Sequence, residues 1–182
     1  VLSTPGGCEI GLRPIDLHLF AMRKLGVDIE ESYGKLLCTI PQKLKGTKIT
    51  LTFPSVGATE NIMLLSVLGE GSTVIKNAAR EPEIVDLQNM LNKMGAKVKG
   101  AGSNIIYIEG VKKLRDVTYT IMPDRIEAGT FLCMGVATKG HVILDNVNPE
   151  HLSSIISKLE ETKAKIYVKE NSIELIGSSK IM

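Results

Sequence analysis

The chain has 182 residues, of which 43% are hydrophobic, 23% are charged and 4% are aromatic. This composition is close to the globular average and excludes an intrinsically disordered chain. The net charge of +2 is too small to indicate a nucleic-acid partner, and no cluster of Lys and Arg accompanies it.

The cysteines and the hydropathy pattern predict a soluble, cytoplasmic protein without a membrane partner. The three cysteines, Cys8, Cys38 and Cys133, are widely spaced and odd in number, which favours a reducing compartment over a disulfide framework. The longest apolar run, residues 62–68, is far shorter than the roughly 20 residues that span a bilayer. No signal peptide is evident, and the first residue, Val1, suggests a fragment or a processed product.

Periodicity predicts alternating helices and short strands along the chain. We expect, in order, a helix over 14–25, strands over 27–29 and 35–40, a helix over 58–68, a strand over 72–75, a helix over 82–94, strands over 96–98 and 105–108, a helix over 126–137, a strand over 141–144, a helix over 149–159, and strands over 164–168 and 172–176.

One pattern returns three times. It begins with a proline, continues through a helix and ends in short β-branched strands, and the prolines Pro14, Pro82 and Pro149 are 68 and 67 residues apart. Ser55 and Asp124, which precede two further helices, are 69 residues apart. The sequence therefore predicts an α/β fold made of repeated units of about 68 residues, with strand–helix–strand crossovers.

Residues at the helix ends support this interpretation. Proline is favoured in the first helical turn because its missing N–H has no intrahelical acceptor there. Gly26 and Gly95 follow two of the predicted helices, where a left-handed residue often ends a helix.

Familiar catalytic motifs are absent from the sequence. The histidines His18, His141 and His151 are far apart and none lies near a cysteine at ligand spacing, so we expect no metal site. The sequence contains neither a phosphate-binding P-loop nor a nucleophile elbow. Glu81 and Glu83 could form a carboxylate pair, but acidic residues at a helix start are the simpler interpretation.

The glycine-rich stretch 5–18 is the first candidate site. Cys8 follows two glycines, so we place it in a loop, whereas Cys38 and Cys133 are expected to be packing residues. Arg13 lies directly before the predicted helix at Pro14, and a helix start beside an arginine can bind an anion. Cationic surroundings also lower the pKa of a thiol. A loop cysteine without a function remains the alternative.

A second candidate anion site is the turn from Phe53 to Thr59, which follows a strand and opens a helix. An ordinary N-cap by Ser55 is the alternative interpretation.

Four blocks of sequence resemble one enzyme family, the UDP-N-acetylglucosamine enolpyruvyl transferases. The blocks are residues 5–18, 55–59, 77–86 and 123–130, in order and at matching intervals. The resemblance implies the inside-out α/β barrel of that family, with βαββαβ-like units. It implies transfer of an enolpyruvyl group from phosphoenolpyruvate to the 3′-hydroxyl of UDP-N-acetylglucosamine, the first committed step of peptidoglycan synthesis, and hence a role in cell wall biogenesis, cell shape and cell division. It implies neither a metal nor an organic cofactor.

The resemblance also implies roles for individual residues. Cys8 matches the cysteine that donates a proton to phosphoenolpyruvate, can form a covalent adduct with it and is the target of fosfomycin. Arg13 matches an arginine that contacts the anionic substrates. The segment that holds the uridine portion matches Arg13, Pro14, Ile15, Asp16 and Leu17, and the turn near the diphosphate matches Ser55, Val56 and Gly57.

The resemblance further implies that residues 1–123 belong to the first domain of the family enzyme and residues 124–182 to the second. Family members are more than twice as long, and the base, a Lys-Asn pair and a clamping arginine match no residue between Val1 and Met182. We therefore expect the chain to need the remainder of the enzyme as its partner and to be inactive alone.

Two alternatives stay open. The first is 5-enolpyruvylshikimate-3-phosphate synthase, which shares the fold but does not use the Gly-Gly-Cys loop. The second is a non-catalytic protein on the same scaffold that binds or senses sugar nucleotides.

Overall fold

The computed structural model describes residues 2–3 and 14–178, with the backbone alone for Leu2 and Ser3. The chain divides into two compact units, residues 1–120 and 121–182, which are treated separately below. The predicted assignment of residues 1–123 and 124–182 to two enzyme domains stays a prediction.

Among its described residues, the first unit contains three helices and seven strands. In chain order these are β1 (Leu2–Ser3), α1 (Asp16–Lys24), β2 (Asp28–Ser32), β3 (Lys35–Thr39), β4 (Lys48–Thr50), α2 (Val56–Ser66), β5 (Ser72–Lys76), α3 (Pro82–Lys93), β6 (Lys97–Lys99) and β7 (Ile105–Glu109).

The strands of this unit form two sheets. The first has the order β1-β3-β2 and the second the order β4-β5-β7-β6. Strands β4 and β5 pair in parallel, with α2 as the connection between them, and the other pairs are antiparallel. This is the strand–helix–strand crossover that the sequence predicts.

Helix α2 lies at the centre of the first unit because apolar residues occur on all its sides. It packs against α1, α3 and strands β5 and β7. Ala58, Ile62 and Met63 are fully buried, in the same core as Ile75, Ile84, Ile106 and Ile108 of the neighbouring elements.

The second unit contains one sheet and a smaller core. Its elements are α4 (Arg125–Ala137), β8 (His141–Asp145), a short 3₁₀-helix (Pro149–Leu152), α5 (Ser153–Glu160), β9 (Lys165–Val168) and β10 (Ser172–Ile176). The sheet order is β8-β10-β9, fully antiparallel, and helix α4 packs on β8 and β10. Leu132, Ile173 and Leu175 are fully buried at this contact.

The repeat appears in the backbone as well as in the sequence. Gly26 and Gly95 both have φ of 101°, and the corresponding residue after α5 is Lys163, with φ of 65°. Asn77 and Asn146, which follow β5 and β8, both have φ of 56°. The predicted repeat and the left-handed glycines are confirmed.

Some element boundaries differ from the prediction. Helix α1 begins at Asp16, so Pro14 precedes the helix instead of lying in its first turn. The third proline, Pro149, starts a 3₁₀ turn that continues into α5. Strand β4 was expected before the turn at Phe53 but without bounds, because a three-residue segment carries too little alternation to define its ends. Within residues 2–3 and 14–178, no helix combines the length and apolar character needed to cross a membrane.

Candidate functional site

The predicted catalytic pair, Cys8 and Arg13, lies outside the described residues. Its roles therefore stay predictions. The other predicted site residues lie within the described part of the chain, at the starts of α1 and α2, and these two helices pack against each other.

The start of α1 presents three predicted site residues to solvent. Pro14 and Asp16 are exposed and Ile15 is half-buried. Leu17 points into the core and is only 7% exposed, so it can contact a ligand only through its backbone. Beside this helix start, an open cleft of about 590 Å³ is lined by Pro14, Ile15, Asp16, Leu19, Phe20, Arg23, Lys24 and Glu31.

The start of α2 is capped by Ser55. The Ser55 hydroxyl accepts a hydrogen bond from the amide of Ala58 at 3.3 Å, which confirms the N-cap interpretation. A cap of this kind satisfies one amide of the first turn, and the preceding amides, those of Val56 and Gly57, have no acceptor within the helix. The N-cap and the anion-site interpretations are therefore compatible, because the helix start keeps two donors and the positive end of its dipole.

His18 of α1 contacts this turn from the side. Its Nδ1 lies 2.6 Å from Nδ2 of Asn61, one helical turn after Gly57. A Cβ on Gly57 would lie 3.1 Å from Cε1 of His18 and 3.6 Å from Nε2. The imidazole therefore occupies the space that a side chain at position 57 would need.

Glu60 on α2 lies close enough to this histidine to interact with it, and Glu83 on α3 interacts with Glu60. Burial raises the pKa of Glu60 on α2 above its ordinary value of 4.5, the carboxylate of Glu83 on α3 raises it further, and the proximity of His18 lowers it in part. Together, His18, Glu60, Asn61 and Glu83 form a polar cluster between three helices. His18 belongs to the candidate stretch 5–18 and Glu83 was considered as one of a carboxylate pair, but the sequence did not bring them together with Glu60 and Asn61. The spacing of Gly57 and Asn61, which puts them on one helix face, was the available signal.

The loop after β5 is fixed beside the α2 start. Asn77 donates from its side-chain amide to the carbonyl of Leu51 at 3.0 Å, and the amide of Ala79 donates to the Thr59 hydroxyl at 3.1 Å. Glu81 precedes α3, and its carboxylate accepts from the amide of Arg80 at 2.8 Å, while Glu83 lies in the first turn of α3. This placement agrees with the interpretation of both glutamates as residues of a helix start.

The two described cysteines differ from each other. Cys38 is half-buried and packs against the core of the first unit, as predicted. Cys133 is exposed on α4, so its prediction as a packing residue is wrong. Apolar residues are spread around helix α4, so the sequence alone did not indicate which side faces the core.

Among residues 14–178, no group of three or more His, Cys, Asp and Glu side chains is arranged to hold a metal ion. The features that could bind a ligand are instead the helix starts and the polar cluster between α1, α2 and α3.

Repeated α/β units define an α/β repeat protein, and the capped start of α2 is its candidate anion site. The sequence profile of the EPSP synthase (3-phosphoshikimate 1-carboxyvinyltransferase) family matches residues 2–181, and the chain belongs to this family. The fold agrees: the enolpyruvyl transferase NikO from Streptomyces tendae superposes with a TM-score of 0.79 at 21% identity, covering 93% of this chain and 43% of that one. The α/β repeat fold of the enolpyruvyl transferases is thereby confirmed.

Within the family, the chain is similar to UDP-N-acetylglucosamine 1-carboxyvinyltransferases, which confirms the resemblance found in its sequence. It is 56% identical over 174 residues to UDP-N-acetylglucosamine 1-carboxyvinyltransferase 2 of Caldanaerobacter subterraneus subsp. tengcongensis, covering 96% of this chain and 42% of the relative. It is also 56% identical over 178 residues to the enzyme of the same name from Carboxydothermus hydrogenoformans, covering 98% and 42%. The chain thus spans less than half the length of these relatives.

Proposed function

We propose that this chain is part of an enzyme that transfers the enolpyruvyl group of phosphoenolpyruvate to the 3′-hydroxyl of UDP-N-acetylglucosamine and releases phosphate. The observation that carries the proposal is the 56% identity to relatives named for this reaction, over nearly the whole chain. The reaction is the first committed step of peptidoglycan synthesis, and it would place the protein in the cytoplasm.

The described helix starts support a role in binding the sugar nucleotide. A diphosphate carries negative charge and needs several donors, and the amides of Val56 and Gly57 lie at the start of α2 with the positive end of the helix dipole. In this proposal, Ser55, Val56 and Gly57 bind the diphosphate. Arg13, Pro14, Ile15, Asp16 and Leu17 hold the uridine portion, with Leu17 acting through its backbone.

Cys8 would supply the proton for the chemistry. Protonation of the methylene carbon of phosphoenolpyruvate leaves positive character on the adjacent carbon, to which the sugar hydroxyl adds with loss of its own proton. Loss of the added proton and of phosphate then restores the double bond. A thiol of suitable pKa can give a proton and take one back, and Arg13 would neutralise the anionic substrates.

The proposal is tested by the release of phosphate from phosphoenolpyruvate and UDP-N-acetylglucosamine. We expect steady release from a longer polypeptide that contains this chain, strong loss in its Cys8→Ser variant, and no loss in Cys133→Ser, which removes an exposed thiol elsewhere. We expect no steady release from the 182-residue chain alone. Full activity of the Cys8→Ser variant would contradict the role of Cys8.

A non-catalytic protein that binds or senses sugar nucleotides is the alternative that the sequence left open. Fosfomycin distinguishes the two candidates. Selective modification of Cys8 supports the enzyme, whereas equal modification of Cys8, Cys38 and Cys133 supports the binding protein.

A further inference from the structure

The outer face of the second sheet, formed by β4, β5, β7 and β6, carries a cluster of lysines. Along these strands, buried side chains that face the core alternate with side chains that are exposed or half-buried. The outward positions include Lys48, Lys76, Lys97 and Lys99, all exposed. These lysines come from three strands, so the sequence alone did not show them as a cluster.

The positive charge of this face is largely uncompensated. Glu109 is the one acidic residue of its four strands, and its Oε1 accepts a hydrogen bond from Nζ of Lys97 at 2.6 Å. Within residues 14–178, no carboxylate forms an ion pair with Lys48, Lys76 or Lys99. Three exposed ammonium groups therefore remain free to attract an anionic partner.

The second unit has the same kind of strand pairing without these charges. Asp145 ends β8 where Lys76 ends β5, and Glu174 is the middle residue of β10 as Tyr107 is of β7. Glu174 also lies 2.8 Å from Nε2 of His141 through its Oε1 atom. A sheet of this repeat therefore forms without a basic outer face, so the lysines are not a requirement of the fold.

The free edge of this sheet is closed at β6. The side-chain amide of Asn92 donates to the carbonyl of Val98 at 2.8 Å, and the Val98 amide donates to Oδ1 of Asn92 at 2.8 Å. The backbone groups with which an added strand would pair are thus already bonded. A partner on this side must contact the outward side chains instead.

One row of side chains across the strands defines the shape of this face. Val74 pairs with Lys48 on one side and with Tyr107 on the other, and Tyr107 pairs with Lys99. Val74 and the Tyr107 ring, which is 54% exposed, therefore lie between the two lysines. Three strand spacings separate the lysine backbones, about 14 Å, which is also about the distance between residues i and i+4 of an extended chain.

We propose that this face binds an extended acidic segment of a separate protein, with carboxylates four residues apart on Lys48 and Lys99 and an apolar side chain midway between them on Tyr107. Residues i, i+2 and i+4 of an extended segment point to the same side, so all three can meet the face together. A separate protein is the favoured source because permanent contacts are mainly apolar, whereas exposed charges favour fast, reversible association. This surface goes beyond the proposed function, which concerns the helix starts.

The experiment is an NMR titration of the ¹⁵N-labelled 182-residue chain with two capped peptides of equal composition. The probe is acetyl-Gly-Glu-Ser-Leu-Ser-Glu-Gly-amide, and the control is acetyl-Gly-Glu-Glu-Leu-Ser-Ser-Gly-amide, which changes the spacing of the acids. We expect the probe at millimolar concentration to shift the amides of Val74, Tyr107 and Lys99, and added salt to weaken its binding. The control peptide should bind about threefold more weakly, as for the loss of one exposed ion pair.

Charge-reversal variants locate the contact. Lys48→Glu and Lys99→Glu should each weaken binding of the probe by about threefold to tenfold, because each replaces an attraction by a repulsion. Lys165→Glu is the matched control, since Lys165 is exposed on β9 of the second unit and the change in net charge is the same. It should leave binding unchanged, and unshifted amides of the core show that each variant is folded.

Four results would overturn the proposal. Equal binding of the two peptides, or an equal loss in Lys165→Glu, would show that net charge alone attracts the probe. Absence of shifts with the probe at millimolar concentration would exclude the site, and binding to phosphatidylglycerol vesicles instead would assign the face to a membrane surface. Loss of probe binding in a longer polypeptide that contains this chain would show that the polypeptide itself covers the face.

Discussion

The hydroxyl of Thr59 accepts a hydrogen bond from the amide of Ala79, 20 residues later in the chain, at 3.1 Å. The same hydroxyl donates to the carbonyl of Ser55 at 2.8 Å. Thr59 and Ala79 are both fully buried. One side chain therefore connects the capped turn of α2 to the loop that precedes α3.

Replacing Thr59 by valine keeps the shape and removes this connection. The buried amide of Ala79 would lose its acceptor, so we expect the free energy of unfolding of the first unit to fall by about 1–3 kcal/mol. Hydrogen exchange at the buried amides of Ile62 and Ile106 measures this change. Thr130→Val is the control, because the exposed Thr130 hydroxyl donates only along its own helix, to the carbonyl of Ile126. An equal loss of unfolding free energy in the control would contradict the special role of Thr59.

Gly57→Ala should weaken the binding of UDP clearly while it lowers the stability of the fold only slightly. The added methyl group would lie 3.1 Å from Cε1 of His18, whose ring is held by Asn61 and has little freedom to move. Crowding and the better helix propensity of alanine oppose each other, so we expect a net loss of only about 1 kcal/mol in stability. We expect UDP to bind about tenfold more weakly, as measured by calorimetry.

The control for this variant is Gly129→Ala in α4. Its methyl group would meet the flexible end of the Ile155 side chain, also at 3.1 Å. Stability should change little, and the affinity for UDP should stay the same. Unchanged UDP binding in Gly57→Ala would show that the His18–Gly57 contact does not shape the site.

Lys163→Gly should stabilise the second unit. Lys163 has φ of 65°, at the position where the first two repeats have Gly26 and Gly95. A lysine at positive φ is strained and a glycine is not, which favours the variant. The larger conformational entropy of glycine in the unfolded chain offsets part of this gain. We expect a net gain of about 0.5–1 kcal/mol, measured by hydrogen exchange at Ile173 and Leu175.

The reverse change provides the comparison. Gly95→Ala places a side chain at φ of 101° in otherwise open space, so it should destabilise the first unit by about 1 kcal/mol through the backbone alone. A gain in stability from Gly95→Ala would contradict this explanation of the repeat.

Glu60→Gln should change how stability depends on pH. The pKa of Glu60 is raised in the folded protein, mainly by burial and then by Glu83, so the folded state favours the protonated carboxyl. Stability therefore falls as pH rises through the window from 4.5 to the higher folded pKa, and the full cost is present at neutral pH. Glu60→Gln should raise the urea midpoint at pH 7 and leave it nearly unchanged at pH 4. The exposed Glu30→Gln should show no such difference. A Glu60→Gln variant that is less stable at pH 7 than the unmodified chain would contradict the conclusion that the ionised Glu60 carboxylate lowers stability.

The sequence predicted the local features of the fold well. The spacing of the three prolines indicated the repeat, and Gly26 and Gly95 were expected in the left-handed region where the structure has them. The cap at Ser55 was one of the two interpretations that the sequence left open for that turn. Each of these features depends on the preferences of a few adjacent residues, which a sequence displays directly.

The environment of the helices could not be predicted in the same way. Apolar residues are spread around helices α2 and α4, so periodicity does not say which side meets a sheet. Cys133 was expected in a core for this reason and is exposed on α4. The bounds of strand β4 were not predicted because they come from pairing with β5, 26 residues further along the chain, and not from its own three residues.

The sequence by itself determined the repeat, the left-handed glycines that follow two of its helices, and the family to which the chain belongs. Only the tertiary structure decided that His18 meets Asn61 and Gly57, and that Thr59 meets Ala79. Backbone preferences act between neighbouring residues, whereas these contacts arise when packing brings α1, α2 and the loop before α3 together.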